Sequence, residues 1–130
     1  MILIDSSVWI DYFNGVDSNK TKLFDTVLET QSILLGDVIL AEVLQGFDKD
    51  DDFDKVKEYL SWLECVSLVG REIAIRSSAN YRFLRSKGVT IRKTVDMLIG
   101  TWCIENRISL LHNDKDFDRI AMYLPLETVK

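Results

Sequence analysis

MILIDSSVWI, residues 1–10, passes from four apolar residues straight into one acid and two serines. Residues 1–4 have the length and composition of a short buried strand. Ser6 or Ser7 can then cap a helix that carries Val8, Trp9, Tyr12 and Phe13 and stops near Asn14-Gly15, where a left-handed residue ends the last turn. A strand that runs directly into a helix, with Asp5 at the joint, is the first half of a strand-helix-strand unit.

The alternation continues along the chain. Further strand-like runs lie at Ile33 to Leu35, Cys65 to Val69, Ile108 to Leu111 and Leu126 to Val129. Between them, helical periodicity covers Lys20 to Thr30, Val38 to Phe47 behind an Asp37 cap, and the segment holding Phe53, Val56, Tyr59, Leu60 and Leu63. Ile73 to Leu84 is another amphipathic stretch, closed by Lys87-Gly88, and Thr94 can cap a strongly apolar helix through Val95, Leu98, Ile99, Trp102 and Cys103. No hairpin signal interrupts the series, so the expected fold is α/β in three layers: a mostly parallel central sheet of four to five strands flanked by helices. Nothing divides the 130 residues, 47% of them hydrophobic, and one domain over 1–130 is expected.

Several chemistries are excluded. No charged-then-apolar leader opens the chain and no apolar run is long enough to span a bilayer, which leads us to expect a soluble cytoplasmic protein. Cys65 and Cys103 lack CxxC spacing and a nearby His, and are expected to be buried free thiols. The single His112 ends a strand-like run and completes no Ser-His-Asp or Cys-His set, so packing or hydrogen bonding is its simplest role. Asp114, Asp116 and Asp118 alternate like a calcium loop, but Arg119 stands where its glycine must turn and Pro125 where its closing glutamate belongs. The acidic run at Asp48 to Asp54 fails the same test and reads as a solvated turn and helix start.

The net charge of −5 is unevenly spread. Residues 1–65 hold fourteen acids and five bases, whereas residues 66–130 hold seven acids and eleven bases. Arg71, Arg76, Arg82, Arg85, Lys87, Arg92 and Lys93 supply most of that positive half, which could steer a polyanion or simply form a solvated helix face.

Ligands of open parallel sheets bind beyond the carboxyl ends of the strands. Asp5, Glu42, Asp96 and Asp114 all fall at such places. Glu42 and Asp96 are set among apolar neighbours, in ILAEVL and VDMLI, and a buried acid requires a partner, commonly an arginine or a metal. Carboxylates converging without His or thiolate suit a hard cation such as Mg2+ or Mn2+, which assists phosphoryl hydrolysis. A phosphorelay receiver would require paired acids after the first strand, and a dehalogenase-type phosphatase an acid where Ser7 stands. Neither GxxxxGK[ST] nor GxGxxG is present.

The order IDSSVWI (4–10), AEVLQG (41–46), KTVD (93–96) and LHNDKDF (111–117) resembles that of PIN-domain ribonucleases, and specifically the VapC-type toxins of toxin-antitoxin modules. The resemblance implies a Mg2+- or Mn2+-dependent endoribonuclease with Asp5, Glu42, Asp96 and Asp114 as the acidic metal site and Asp116 as a further acid, in support or at a second ion. Ser7, Thr94 and Asn113 would be supporting polar residues, and Arg82, Arg85, Arg92 and Lys93 the candidates for RNA contact. Members of the family often carry Thr or Ser where this chain has His112. The likeness also implies in-line attack by water leaving a 5′-phosphate and a 3′-hydroxyl, a homodimer or toxin-antitoxin hetero-oligomer, and a small cognate antitoxin as inhibitor. Asp118 reads as a solvated surface charge. The competing readings are a catalytically silent PIN-like module that binds RNA or a partner, and a DNA nuclease of the same fold.

Overall fold

A computed structural model describes residues 1–130. Strand β1 (Ile2–Ile4) leads into helices α1 (Ser6–Phe13) and α2 (Asn19–Thr30), then β2 (Ile33–Gly36), α3 (Asp37–Leu44), α4 (Asp50–Leu60) and β3 (Glu64–Val66). The second half comprises α5 (Arg71–Ser86), α6 (Thr94–Asn106), β4 (Ser109–Leu111) and α7 (Lys115–Tyr123). The four strands form one sheet in the order β3-β2-β1-β4, and every pairing is parallel. No helix is long and apolar enough to cross a membrane.

Topology places the helices. From β1 through β2 to β3 the chain steps one way across the sheet, and from β3 to β4 it returns past β1 to the other edge. Because such crossovers are right-handed, the reversal puts α5 and α6 on the face opposite α1 to α4. The reversal also leaves a crevice beyond the carboxyl ends of β1 and β4, the switch point at which α/β sheets bind ligands.

The core follows from this layering. All three residues of β1 are buried, and Trp9 sits edge-on to Phe24 with ring centroids 4.8 Å apart. Gly36 is required by close approach: a Cβ there would collide with the Leu68 side chain, itself fully buried. Asp37 accepts hydrogen bonds from Leu68 N–H (3.1 Å) and Val38 N–H (2.8 Å), tying the end of β2 to the segment after β3.

The structure corrects several local expectations. The cap of α1 is Asp5 rather than a serine, α3 is preceded by Gly36 with Asp37 in its first turn, and α6 opens at Thr94 behind Lys93 with no side-chain cap. Asp5 keeps the extended backbone of the strand end, and its carboxylate accepts from the free Ser7 N–H of the first turn, which makes it the cap. Leu126 to Val129 forms a single bridge, Leu110 to Thr128, instead of a fifth strand, because only Glu127 and Val129 exchange hydrogen bonds with Leu110. Cys65 is exposed, since β3 is an edge strand, while Cys103 is buried as expected.

Candidate metal centre

Register brings the first two acids together. Ile4 pairs with Leu111, and Asp5 N–H donates to Leu111 O at 2.9 Å, so the two strands release Asp5 and the segment 112–114 side by side. As the cap of α1, Asp5 accepts from Ser7 N–H (3.0 Å) and the Ser7 hydroxyl (2.6 Å) on Oδ2 alone. Its Oδ1 is buried without a partner. The Ser7 oxygen also accepts from Asn113 N–H at 3.0 Å, so one hydroxyl joins the two strand ends. Asn113 is held in turn by its side-chain amide, which donates to Asp11 at 3.3 Å.

Glu42 and Asp96 approach from helices on opposite faces of the sheet. Glu42, on α3, accepts from the Ser6 hydroxyl at 3.2 Å. Asp96, in the first turn of α6, is 5% exposed and its Oδ2 has no hydrogen-bond partner. The electrostatics describe one shared field. Burial, then the charges of Asp5 and Asp114, push the Asp96 carboxyl up to about 7, with Lys93 opposing. Burial also raises Asp5, against its Ser7 hydrogen bonds, and burial with the Asp5 charge raises Glu42. An arginine partner, the ordinary fate of a buried acid, is absent from all three; Lys93 is the cationic influence on Glu42 and Asp96, and His112 the one on Asp5.

Asp114 arrives with its backbone fixed. It caps α7 by accepting from Asp116 N–H on Oδ1 (2.9 Å), and its own N–H donates to His112 Nδ1 at 3.2 Å. An accepting Nδ1 places the neutral ring's proton on Nε2, which lies 3.6 Å from Asp118 Oδ1. His112 is 2% exposed, packs on Phe117 at 5.1 Å, and its pKa is lowered, chiefly by burial. It is therefore a packed, hydrogen-bonding histidine, and Asp118 is exposed, as expected of a solvated surface charge, with His112 as its neighbour.

Asp116 is placed differently from the other acids. Its Oδ2 lies 3.8 Å from Arg92 Nε and accepts from Arg92 N–H at 3.5 Å, while Oδ1 lies 3.4 Å from Arg119 Nη1. Two guanidinium charges thus flank a carboxylate that is almost wholly buried, with hydrogen bonds from Arg92 N–H and the Arg119 guanidinium, and the 88–93 loop before α6 is fastened to α7. Arg92, a candidate RNA contact by sequence, has this internal partner. Lys93 is exposed beside the crevice, whereas Arg82 and Arg85 lie on α5, Arg85 with its guanidinium 5.5 Å from the Tyr81 ring. Thr94 is exposed at the start of α6.

The residues fit a hard cation. Two buried carboxylate oxygens on facing elements lack any donor, the set contains oxygen ligands only, and three of the acids hold their protons more tightly than usual. No three side chains close by themselves into a ready-made ligand set, as expected for like charges without a counterion. Reading the sequence missed Ser6, Arg119 and the His112–Asp118 pair, because none carries a motif and each acquires its role from a neighbour distant in the chain or on the next turn.

Comparison with known proteins follows the same lines. A family model described as PIN domain matches residues 2–122. The chain is 32% identical to Ribonuclease VapC11 of Mycobacterium tuberculosis over 130 residues, covering 98% of this chain and 96% of that one. Among solved structures it is similar to VapBC2 from Rickettsia felis bound to a DNA fragment from its promoter, with TM-score 0.75, 21% identity, and 99% and 98% of the two chains covered. It is also similar to M. tuberculosis VapC20, described as a Sarcin-Ricin loop cleaving toxin, with TM-score 0.68, 14% identity, and 95% and 96% covered. At these identities the structural likenesses speak for the fold.

Proposed function

The chain belongs to the PIN-domain family, and on that premise we propose that it is a Mg2+- or Mn2+-dependent endoribonuclease of the VapC type, restrained by a cognate antitoxin. The observation that carries the reading is the pair of buried, donorless oxygens, Asp5 Oδ1 and Asp96 Oδ2, on carboxyls close enough for the Asp5 charge to act on Asp96, beside the topological switch point. A module that only bound RNA would have no use for that arrangement, whose charges repel one another across a poorly hydrated space.

Asp5, Glu42, Asp96 and Asp114 would hold the ion. When bound, it would polarise the scissile phosphodiester and make water a better nucleophile near neutral pH. The chain's own contributions are positional. Ser7 occupies Asp5 Oδ2 and so leaves Oδ1 for the site, Ser6 turns Glu42 toward it, and the cap of α7 fixes Asp114. Asp116, flanked by two arginines, supports the loop that delivers Lys93, Thr94 and Asp96. Lys93 offers the RNA phosphate a cation at the rim, and hydrolysis leaves a 5′-phosphate and a 3′-hydroxyl.

Kinship with VapC11 supports the ribonuclease, and likeness to a solved toxin-antitoxin complex from Klebsiella pneumoniae supports the antitoxin partner. The working form is a homodimer or a toxin-antitoxin hetero-oligomer built from a single domain over residues 1–130, in the cytoplasm. The test is cleavage of structured RNAs and of single-stranded DNA in Mg2+ and in EDTA, with Asp5→Asn and Asp96→Asn alongside. Metal-dependent cutting of RNA that both substitutions abolish is expected; cutting that survives EDTA, or both substitutions, would overturn the mechanism.

A further inference from the structure

A second concavity adjoins the crevice. Between α5 and the start of α6 lies a cavity of about 400 Å3, toward the lower end of the range for small-molecule sites. Tyr81, Met97 and Leu98 give it apolar walls, and Ser77, Arg82 and Thr94 give it polar edges. We infer that it receives one unstacked nucleobase of the RNA strand whose phosphate lies at the carboxylate crevice, an inference that rests on the ribonuclease reading above.

Position is the first support. Thr94 lines the cavity and Asp96 lies in the same first turn of α6 but about 200° round the helix, so the cavity and the carboxylates flank the N-terminal end of α6 and a single strand passing over that end can reach both. Chemistry is the second. A nucleobase has flat apolar faces and a rim of donors and acceptors, and single-stranded RNA is read by splaying such a base onto an aromatic or guanidinium plane and hydrogen-bonding its edge. Tyr81 supplies the aromatic ring, held on α5 with Arg85 5.5 Å from its centroid, and Ser77, a hydroxyl-bearing residue only 4% exposed, faces the space from inside. Charge is the third. No carboxylate lines the cavity, Arg82 stands in its wall, and Lys93 is next to Thr94, so the mouth favours a polyanion although the protein as a whole is acidic.

The experiment uses the full chain in Mg2+ and a short mixed-sequence single-stranded RNA. Once the cut phosphate is mapped, each flanking nucleotide is replaced in turn by an abasic ribose. One abasic position should lower kcat/KM about ten- to a hundredfold, mainly through KM, with little effect elsewhere. Ala74→Phe, which fills the cavity from α5, should impose a similar loss on the intact RNA and no further loss on the abasic RNA. Losses that simply add, or an absence of any sensitive position, overturn the inference while leaving the ribonuclease reading intact. A variant that changes oligomeric state at unchanged cleavage also overturns it, because a second copy then covers the cavity. If no RNA is cut, the ribonuclease reading fails, and the cavity is judged by titrating the four nucleoside 5′-monophosphates without metal. Shifts at the Met97 and Leu98 methyl signals that disappear in Ala74→Phe then support base binding, and unchanged signals refute it.

Discussion

Asp96→Asn should abolish activity and, at alkaline pH, make the metal-free protein more stable. The Asp96 carboxyl is pushed from an ordinary 3.8 up to about 7 by burial and by the charges of Asp5 and Asp114. A folded-state pKa above the unfolded one means that the native state holds its proton more tightly. The associated stability is complete below about pH 4, drains away as pH rises, and is lost by about pH 7. At about 1.4 kcal/mol per unit, a shift of some three units sets a ceiling of about 4 kcal/mol. An amide lacking a full set of partners gives back about 1–2 kcal/mol, which leaves a net gain of about 2 kcal/mol at pH 8. Urea unfolding in EDTA, at about pH 4 and pH 8, measures it. The variant should be no more stable than wild type in acid and more stable in base, and His112, titrating in both proteins, cancels from the difference. Added Mg2+ should then raise the wild type and raise the variant less. A variant equally destabilised at both pH values would refute the idea that Asp96 is an electrostatically strained group awaiting a cation.

Three further outcomes follow from individual contacts. Ser7→Ala removes the hydroxyl shared by Asp5 and Asn113, and should cost about 1–3 kcal/mol in urea unfolding and weaken Mn2+ binding in a calorimetric titration. His112→Leu leaves the Asp114 N–H without its acceptor and should reduce Mn2+ affinity and kcat at nearly constant KM for RNA, whereas a KM effect alone would make His112 an RNA contact. Gly36→Ala drives a Cβ into Leu68 and should lower stability by about 1–3 kcal/mol without altering the pH dependence attributed to Asp96; unchanged thermal unfolding would show that Leu68 can yield.

How much of this was legible beforehand varies by residue. Asp5, Glu42, Asp96 and Asp114 could be proposed as a metal site because each follows a strand end or interrupts an apolar run, two signals written along the chain. The helices were found by periodicity, with their ends misplaced by one to three residues; at the N-terminal ends Asp5, Gly36 and Lys93 rather than the neighbouring Ser, Asp and Thr occupy the cap positions. Asp116 and Asp118 show the limit. In the sequence they are two more acids of an alternating triplet, yet one is fastened between Arg92 and Arg119 and the other faces His112.

The sequence by itself therefore determined the alternation of strands and helices, the parallel sheet and the acids that end its strands. Those properties depend on local periodicity and on residue type, which are one-dimensional. Tertiary structure alone decided which acids stay without a counterion and which are neutralised, how one serine joins two strand ends, and that a cavity opens beside the crevice. Each of those depends on distances between residues far apart in the chain, and burial turns such distances into energies that no spacing rule encodes.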